Sequence, residues 1–224
     1  MDERIGHEPF SNATLVWDGE PMRGLEEPDP DAIPTSEIEP FEPGRITMRF
    51  RESNQTLVSM PWDKPLAHWS GPDLDFVDLP VGASRHTVRF AMVDGHIIAL
   101  KELPLLVGQK EYDVLRELEA RGAPSVKAFG LVTRTGDDSS IILTRYLSRS
   151  FQFRRLFMRL PEGAGRYRDR LLDSMTGLLV EIHRMGMFWG DCSLGNTLLM
   201  RDGQRLQAYL VDGETSELYD RISD

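Results

Sequence analysis

Four polar residues stand out for the chemistry that their types and order allow. Lys101 closes the apolar run Ile98-Ala99-Leu100, where a buried ammonium needs an anionic partner. Asp191 and Asn196 stand five positions apart in the stretch Trp189-Gly190-Asp191-Cys192-Ser193-Leu194-Gly195-Asn196. Asp212 ends a second apolar run, Tyr209-Leu210-Val211, 16 residues beyond Asn196. Phosphoryl transfer from a nucleoside triphosphate needs few parts: a cation for the phosphates, oxygen ligands for magnesium, and a carboxylate to orient the attacking hydroxyl. These four residues can supply them. Taken singly, each also reads as ordinary structure: an edge lysine, a turn aspartate, or an aspartate that starts a turn with Gly213.

The elements that must position these residues are readable from periodicity. Arg85 to Met92 alternates as a strand, Asp94-Gly95 signals a hairpin turn, and His96 to Lys101 returns. That register puts Ile97, Ala99 and Lys101 on one face of the strand and Ile98 and Leu100 on the other. A helix follows over about Gln109 to Arg121, with Gly122 as its stop. On it Glu111 shares a face with Leu115 and Leu118, while Glu117 and Glu119 fall off that stripe. Strands are expected at Lys127–Thr133 and Ile141–Tyr146, and a long helix from Tyr167 to Met185, closed by Gly186. Two short strands, Thr197–Met200 and Leu206–Val211, complete the order. Strands with one helix, then mostly helices with a late hairpin, suggest an α+β fold in two lobes.

Ahead of this lies less informative sequence. Residues 1–44 carry 12 acidic and two basic side chains and seven of the 14 prolines, whereas residues 45–224 carry 24 of each charge. Such a segment buries too little apolar surface to offset its ordering entropy, so a disordered acidic tail is expected. It also argues against nucleic-acid binding, which needs basic patches. Residues 45–80 suggest a strand at Ile46–Arg51 and a short helix opening at Asp63, with Trp62 and Trp69 as core or docking residues. One cysteine, Cys192, excludes an internal disulfide. No secretory signal or membrane-length apolar run is visible, which points to the cytoplasm.

The set of motifs in one order resembles the protein-kinase-like superfamily over residues 80–216. Ile98-Ala99-Leu100-Lys101 resembles the V-A-I-K strand, Asp191 and Asn196 match the spacing of H-R-D-x-x-x-x-N, and Asp212 falls where the D-F-G aspartate stands. The Gly190-Asp191 loop is closer to the aminoglycoside-, lipopolysaccharide- and Rio-type branches. Leu79-Pro80 through His86, Lys101-Glu102-Leu103-Pro104 and Phe188 through Leu198 resemble a bacterial family defined only as a domain of unknown function and described as lipopolysaccharide-kinase-like.

The resemblance implies a two-lobed fold, an antiparallel-sheet lobe at 81–147 and a partial, mainly helical lobe at 148–224, with 45–80 as an extension. It implies ATP and Mg2+ as cofactors and an unidentified hydroxyl acceptor. Lys101 would hold the phosphates, Glu111 would pair with Lys101, Asp191 would orient the acceptor, and Asn196 and Asp212 would bind the metal. Gly82 and Ser84 fall in the phosphate-covering loop, Arg145 and Tyr146 at the adenine-reading hinge beside Ala99, and His183 where a histidine supports the catalytic loop. The departures are a single glycine in Val81–Thr87, Trp189-Gly190 in place of H-R, Asp212-Gly213-Glu214 in place of D-F-G, and only 12 residues after Asp212. They suggest a truncated chain, and they keep open a nucleotide-binding module without transfer activity, or an interaction protein on the same fold.

Overall fold

The computed structural model of the protein describes residues 45–222 apart from 53–54, 72–73, 82–83, 204 and 221. The acidic segment 1–44 and Gly82 therefore lie outside the described residues. In chain order the elements are β1 (Ile46–Phe50), α1 (Gln55–Val58), β2 (Val88–Val93), β3 (His96–Pro104), α2 (Leu105–Ala120), β4 (Ala128–Arg134), β5 (Ser139–Arg145), β6 (Phe151–Gln152), α3 (Phe153–Met158), α4 (Gly165–Arg184), β7 (Met187–Trp189), β8 (Thr197–Asp202), β9 (Arg205–Leu210) and β10 (Ser216–Leu218). Short 3-10 turns occupy Leu66–His68 and Leu194–Asn196.

The strands form a five-stranded sheet in the order β1-β4-β5-β3-β2, a three-stranded sheet β6-β8-β9 and the pair β7-β10. Every pairing within them is antiparallel. The fold is thus mixed α/β with antiparallel sheets and few helices. No helix among the described residues is long and apolar enough to cross a membrane.

The large sheet is covered on both faces. Ile98 and Leu100 of β3 point to one side, where they pack with Leu57, Trp62, Leu66 and Trp69. The indole N–H groups of Trp62 and Trp69 donate to the carbonyls of Leu57 and Lys64 at 2.6 and 2.9 Å. Arg134, only 5% exposed, fixes this cover: its guanidinium reaches Glu102 and the carbonyl oxygens of Trp62 and Lys64. A buried guanidinium is tolerable only because each of these acceptors compensates its lost hydration.

Helix α2 covers the other side through Val114, Leu115 and Leu118, which share a core with Leu131, Ile142, Phe153, Ile182 and Trp189. Gly108 permits the close approach: a Cβ there would lie 2.0 Å from Ser140 Oγ. The helix stops at Gly122, whose φ of +77° is open to glycine at little cost. Asp94 and Gly95 both have positive φ, 46° and 76°, the geometry of a tight two-residue hairpin turn.

The differences from the sequence reading have local causes. Helix α2 begins at Leu105 instead of Gln109, because the extended Pro104 feeds straight into it and Leu105 N–H is taken by Asp138 O at 2.9 Å. The strand expected from Arg85 starts at Val88, since Ser84 Oγ folds the chain back on His86. The helix expected at Asp63 is replaced by a turn and the 3-10 segment at Leu66–His68, because the carbonyls of Trp62 and Lys64 serve Arg134. Strand β7 and the pairing of β10 with it have no counterpart in the sequence reading. After Arg145 the described residues hold two helices and five short strands, more strand than a mainly helical reading implies.

Two glycines of α2 and α4 behave oppositely. Gly108→Ala forces Ser140 or the helix to move and is expected to cost about 1–3 kcal/mol, as overpacked sites do. Gly177→Ala, with open space around its position, is expected to stabilise by about 1 kcal/mol through helix propensity. Urea unfolding of the two variants measures both, and equal behaviour contradicts the close approach of α2 to the sheet.

Candidate active site

The elements just described enclose a cleft of about 540 Å3. Its walls include every residue singled out in the sequence for the nucleotide, metal or acceptor except Gly82: Ser84, Ala99, Lys101, Glu111, Arg145, Tyr146, Asp191, Asn196 and Asp212. They arrive from the chain before β2, from β3, α2 and the end of β5, and from the segments that follow β7 and β9.

Lys101 lies at the centre. Its ammonium donates to Glu111 Oε2 at 3.0 Å and to Asp212 Oδ2 at 2.9 Å, and stands 3.5 Å from Glu214 Oε2. The strand alternation explains why it faces inward: Ile98 and Leu100 occupy the opposite face. Glu111 is 1% exposed, so burial pushes its carboxyl up to about 7, against the pull of Lys101. Burial alone would lower the Lys101 pKa, but Glu111 and Asp212 outweigh it and raise it, so the ammonium stays protonated. The two acids off the apolar stripe of α2 also find cations. Glu117 pairs with Arg121, and Glu119 holds Arg51 at 2.8 Å.

The Asp191–Thr197 loop is knit by its own side chains. Asn196 Nδ2 donates to Asp191 Oδ2 at 3.1 Å and to the Asp191 carbonyl at 3.2 Å. Ser193 Oγ accepts the Asn196 N–H at 3.3 Å, and Thr197 Oγ1 donates to Ser193 O at 3.0 Å. The five-residue spacing is what lets the asparagine fold back on the aspartate. Among the described hydrogen bonds none uses the Asn196 amide oxygen. Cys192 is exposed and so is no packing residue. Its thiol is pushed up by partial burial and by Asp191, which makes it a poor nucleophile.

Trp189 ties this loop to the second acidic strand end. It is 4% exposed, and its indole N–H donates to the Asp212 carbonyl at 3.1 Å. Val211 N–H donates to Asn196 O at 3.1 Å, and β10 pairs with β7 so that Ser216 lies opposite Trp189. Gly190 is required by this return of the chain: a Cβ would meet Thr215 O at 2.6 Å. His183, by contrast, is exposed on α4, and no described hydrogen bond links it to the loop. The anchoring role expected of that histidine is filled by the indole of Trp189, the last residue of the apolar run Met187-Phe188-Trp189.

Glu214 is not a solvated acid. Its side chain is 6% exposed and pairs with Arg85 Nη2, and Oε2 stands 3.2 Å from His86 Nε2. Burial would raise its pKa, but Arg85, Lys101 and His86 lower it, so it is ionised. Oε2 is buried without a hydrogen bond. Arg85 and His86 thus reach across from the loop in which the sequence shows few glycines. Ser84, expected to face phosphate, spends its hydroxyl on the His86 backbone at 3.0 and 3.1 Å.

At the hinge, the N–H groups of Arg145 and Tyr146 are already taken by Lys127 O and Ile97 O, at 2.9 and 3.0 Å. The adjacent N–H without a partner among the described hydrogen bonds is that of Leu147, which sequence reasoning passed over. Val88, Ala99, Leu198 and Val211 add apolar side chains to the wall of the cleft that Leu147 also lines, of the character that a planar ring requires.

The donors present fit a hard divalent cation. Single oxygens of Glu111, Asp212 and Glu214 lie within 4.8 Å of one another. Carboxylate oxygens are donors that magnesium prefers, and Asn196, on the wall of the same cleft, offers an amide oxygen that no described hydrogen bond uses.

No protein-family description matches the sequence, and no curated protein matches it. Among solved structures, that of WaaP in complex with acyl carrier protein aligns with a TM-score of 0.52 at 18% identity, covering 66% of this chain. The alignment spans 64% of the WaaP chain, so under two thirds of that protein is represented. At this identity the likeness speaks for the fold alone.

Proposed function

We infer that the chain is an ATP- and magnesium-dependent phosphotransferase that acts on a hydroxyl acceptor. The observation that carries this reading is the convergence of Lys101, Glu111, Asp191, Asn196 and Asp212 on one cleft of a kinase-like fold. Residues 81–147 and 148–224 serve as the two sides of that cleft, with 45–80 as an added cover.

The roles follow from charge and position. Lys101 neutralises the nucleotide phosphates and is held upright by Glu111, which cannot move far because α2 is wedged against Ser140. The apolar wall of Val88, Ala99, Leu198 and Val211 takes the adenine ring, with Leu147 N–H available to one of its nitrogens. Asn196 and Asp212 hold magnesium, and Glu214 adds an oxygen once Arg85 turns to the phosphates. Magnesium, when bound, supplies charge neutralisation on the phosphate oxygens. Asp191, exposed at the cleft, orients the acceptor and takes its proton. The acceptor oxygen bonds to the γ-phosphorus as the bond to the departing ADP oxygen breaks.

A second reading, nucleotide binding without transfer, draws on the Arg85–Glu214 and Lys101–Asp212 pairs, which occupy phosphate and metal positions with the chain's own groups. The two readings part on turnover.

Thermal unfolding with ATP and magnesium tests the site. A ligand at a hundredfold excess over its dissociation constant is expected to stabilise the wild type by about 2.7 kcal/mol. That gain should be absent without magnesium and absent in Lys101→Ala and Asp212→Ala. No shift in the wild type contradicts the placement of the nucleotide. Separately, Asp191→Ala should keep the shift and lose ADP production by at least about a hundredfold, the scale of a general base. Unchanged turnover in that variant removes Asp191 from the chemistry, and a shift with no turnover in the wild type selects the second reading.

A further inference from the structure

Over residues 45–224 the formal charges are balanced overall but not locally. Residues 145–170 hold eight arginines and two carboxylates. This stretch leaves β5, runs through β6 and α3, and enters α4. Three of its arginines, Arg145, Arg155 and Arg159, line the cleft. Elsewhere four arginines, Arg51, Arg85, Arg121 and Arg134, each hold a glutamate. Among the described residues, no carboxylate pairs with Arg145, Arg155 or Arg159.

Arg155 and Arg159 also stand in a defined place. The apolar side of α3 is anchored: Phe153 is fully buried, Phe157 stacks on it at 6.1 Å between ring centroids, and Leu156 joins the same core as Leu194. The helix packs against the Leu194–Asn196 turn and β8, which follow directly on Asp191. Arg155 lies within α3 and Arg159 caps its C-terminal end, and both line the cleft. Two like charges so placed repel each other unless an anion lies between them. Guanidinium groups in that arrangement suit a phosphate group, which they bind in forked hydrogen bonds. The nucleotide phosphates already have their cation in Lys101, which Glu111 and Asp212 hold on the side of the cleft formed by β3 and α2.

We propose that Arg155 and Arg159 form an acceptor subsite for a phosphate monoester, so that the molecule phosphorylated by this cleft already carries such a group. The subsite rests on the phosphotransferase reading, and its cation pair lies beside the loop that carries Asp191. The same chemistry is offered by a free phosphorylated metabolite and by a lipid headgroup.

The test uses the full chain loaded with magnesium and a non-hydrolysable ATP analogue. One arm titrates glycerol 3-phosphate against glycerol. The other pellets the protein with phosphatidylcholine vesicles that contain or lack phosphatidic acid. The expected result is binding in one arm or both that depends on the phosphate, and the responding arm identifies the source. In the Arg155→Gln/Arg159→Gln protein that binding should weaken by about tenfold or more, the scale of a charge-assisted hydrogen bond. The Arg166→Gln/Arg170→Gln protein removes the same charge from exposed positions on α4 and should bind within about twofold of the wild type, a surface charge acting weakly. All three proteins should keep the stabilisation given by magnesium and the analogue. Equal weakening in both double variants, or no phosphate-dependent binding by the loaded wild type, overturns the subsite. Loss of the analogue's stabilisation in Arg155→Gln/Arg159→Gln assigns these arginines to the nucleotide and overturns it too. A wild type that never responds to the analogue defeats the phosphotransferase reading itself and takes the subsite with it.

Discussion

An ammonium in a half-enclosed cleft must be compensated, and the way Lys101 is compensated organises the site. Its partners come from distant parts of the chain: Glu111 from α2, Asp212 and Glu214 from beyond β9. Each contact therefore fixes one element against another. Burying Glu111 raises the cost of leaving it ionised, and Lys101 offsets that cost only if β3 and α2 keep their spacing. Gly108 permits the spacing, and the clasp of Trp189 on Asp212 keeps the third partner in reach. Remove the charge and the two carboxylate-bearing segments have no common reason to converge on β3.

Much of this is legible in the sequence because it depends on periodicity. The alternation of His96–Lys101 yields the inward face of Lys101, and the Leu115 and Leu118 stripe yields that of Glu111. The kinase-like order of motifs supplies Asp191, Asn196 and Asp212. What escapes is long-range. Glu214 looks as much like a surface acid as a ligand, because its burial depends on Arg85 and His86, 129 and 128 positions earlier. Support of the Asp191–Thr197 loop falls to Trp189 and not to His183 for the same reason: helix position says nothing about which side chain meets a distant carbonyl. The hinge N–H groups of Arg145 and Tyr146 go to strand pairing and a neighbouring loop, neither of which is visible in local pattern.

The cover formed by Leu57 to Trp69 is harder still, since its residues lack a regular period. Its order comes from tertiary hydrogen bonds: two indoles bonded back to carbonyls five residues earlier, and one buried guanidinium that gathers three acceptors. Tryptophans at 62 and 69 suggest docking, but nothing in the sequence names Arg134 as the clasp.

That clasp has a mechanical consequence. With Ile98 and Leu100 locked into the cover and Leu103 into the opposite core, β3 is gripped from both sides along its length and behaves as part of a stiff slab. Lys101 is then a fixed post and not a swinging arm. Adjustment is left to the parts that the slab does not grip: the Ser84–Thr87 loop on one rim and the arginine-bearing flank of α3 on the other. The molecule divides compliance from precision, with the rims yielding and the lysine post holding still.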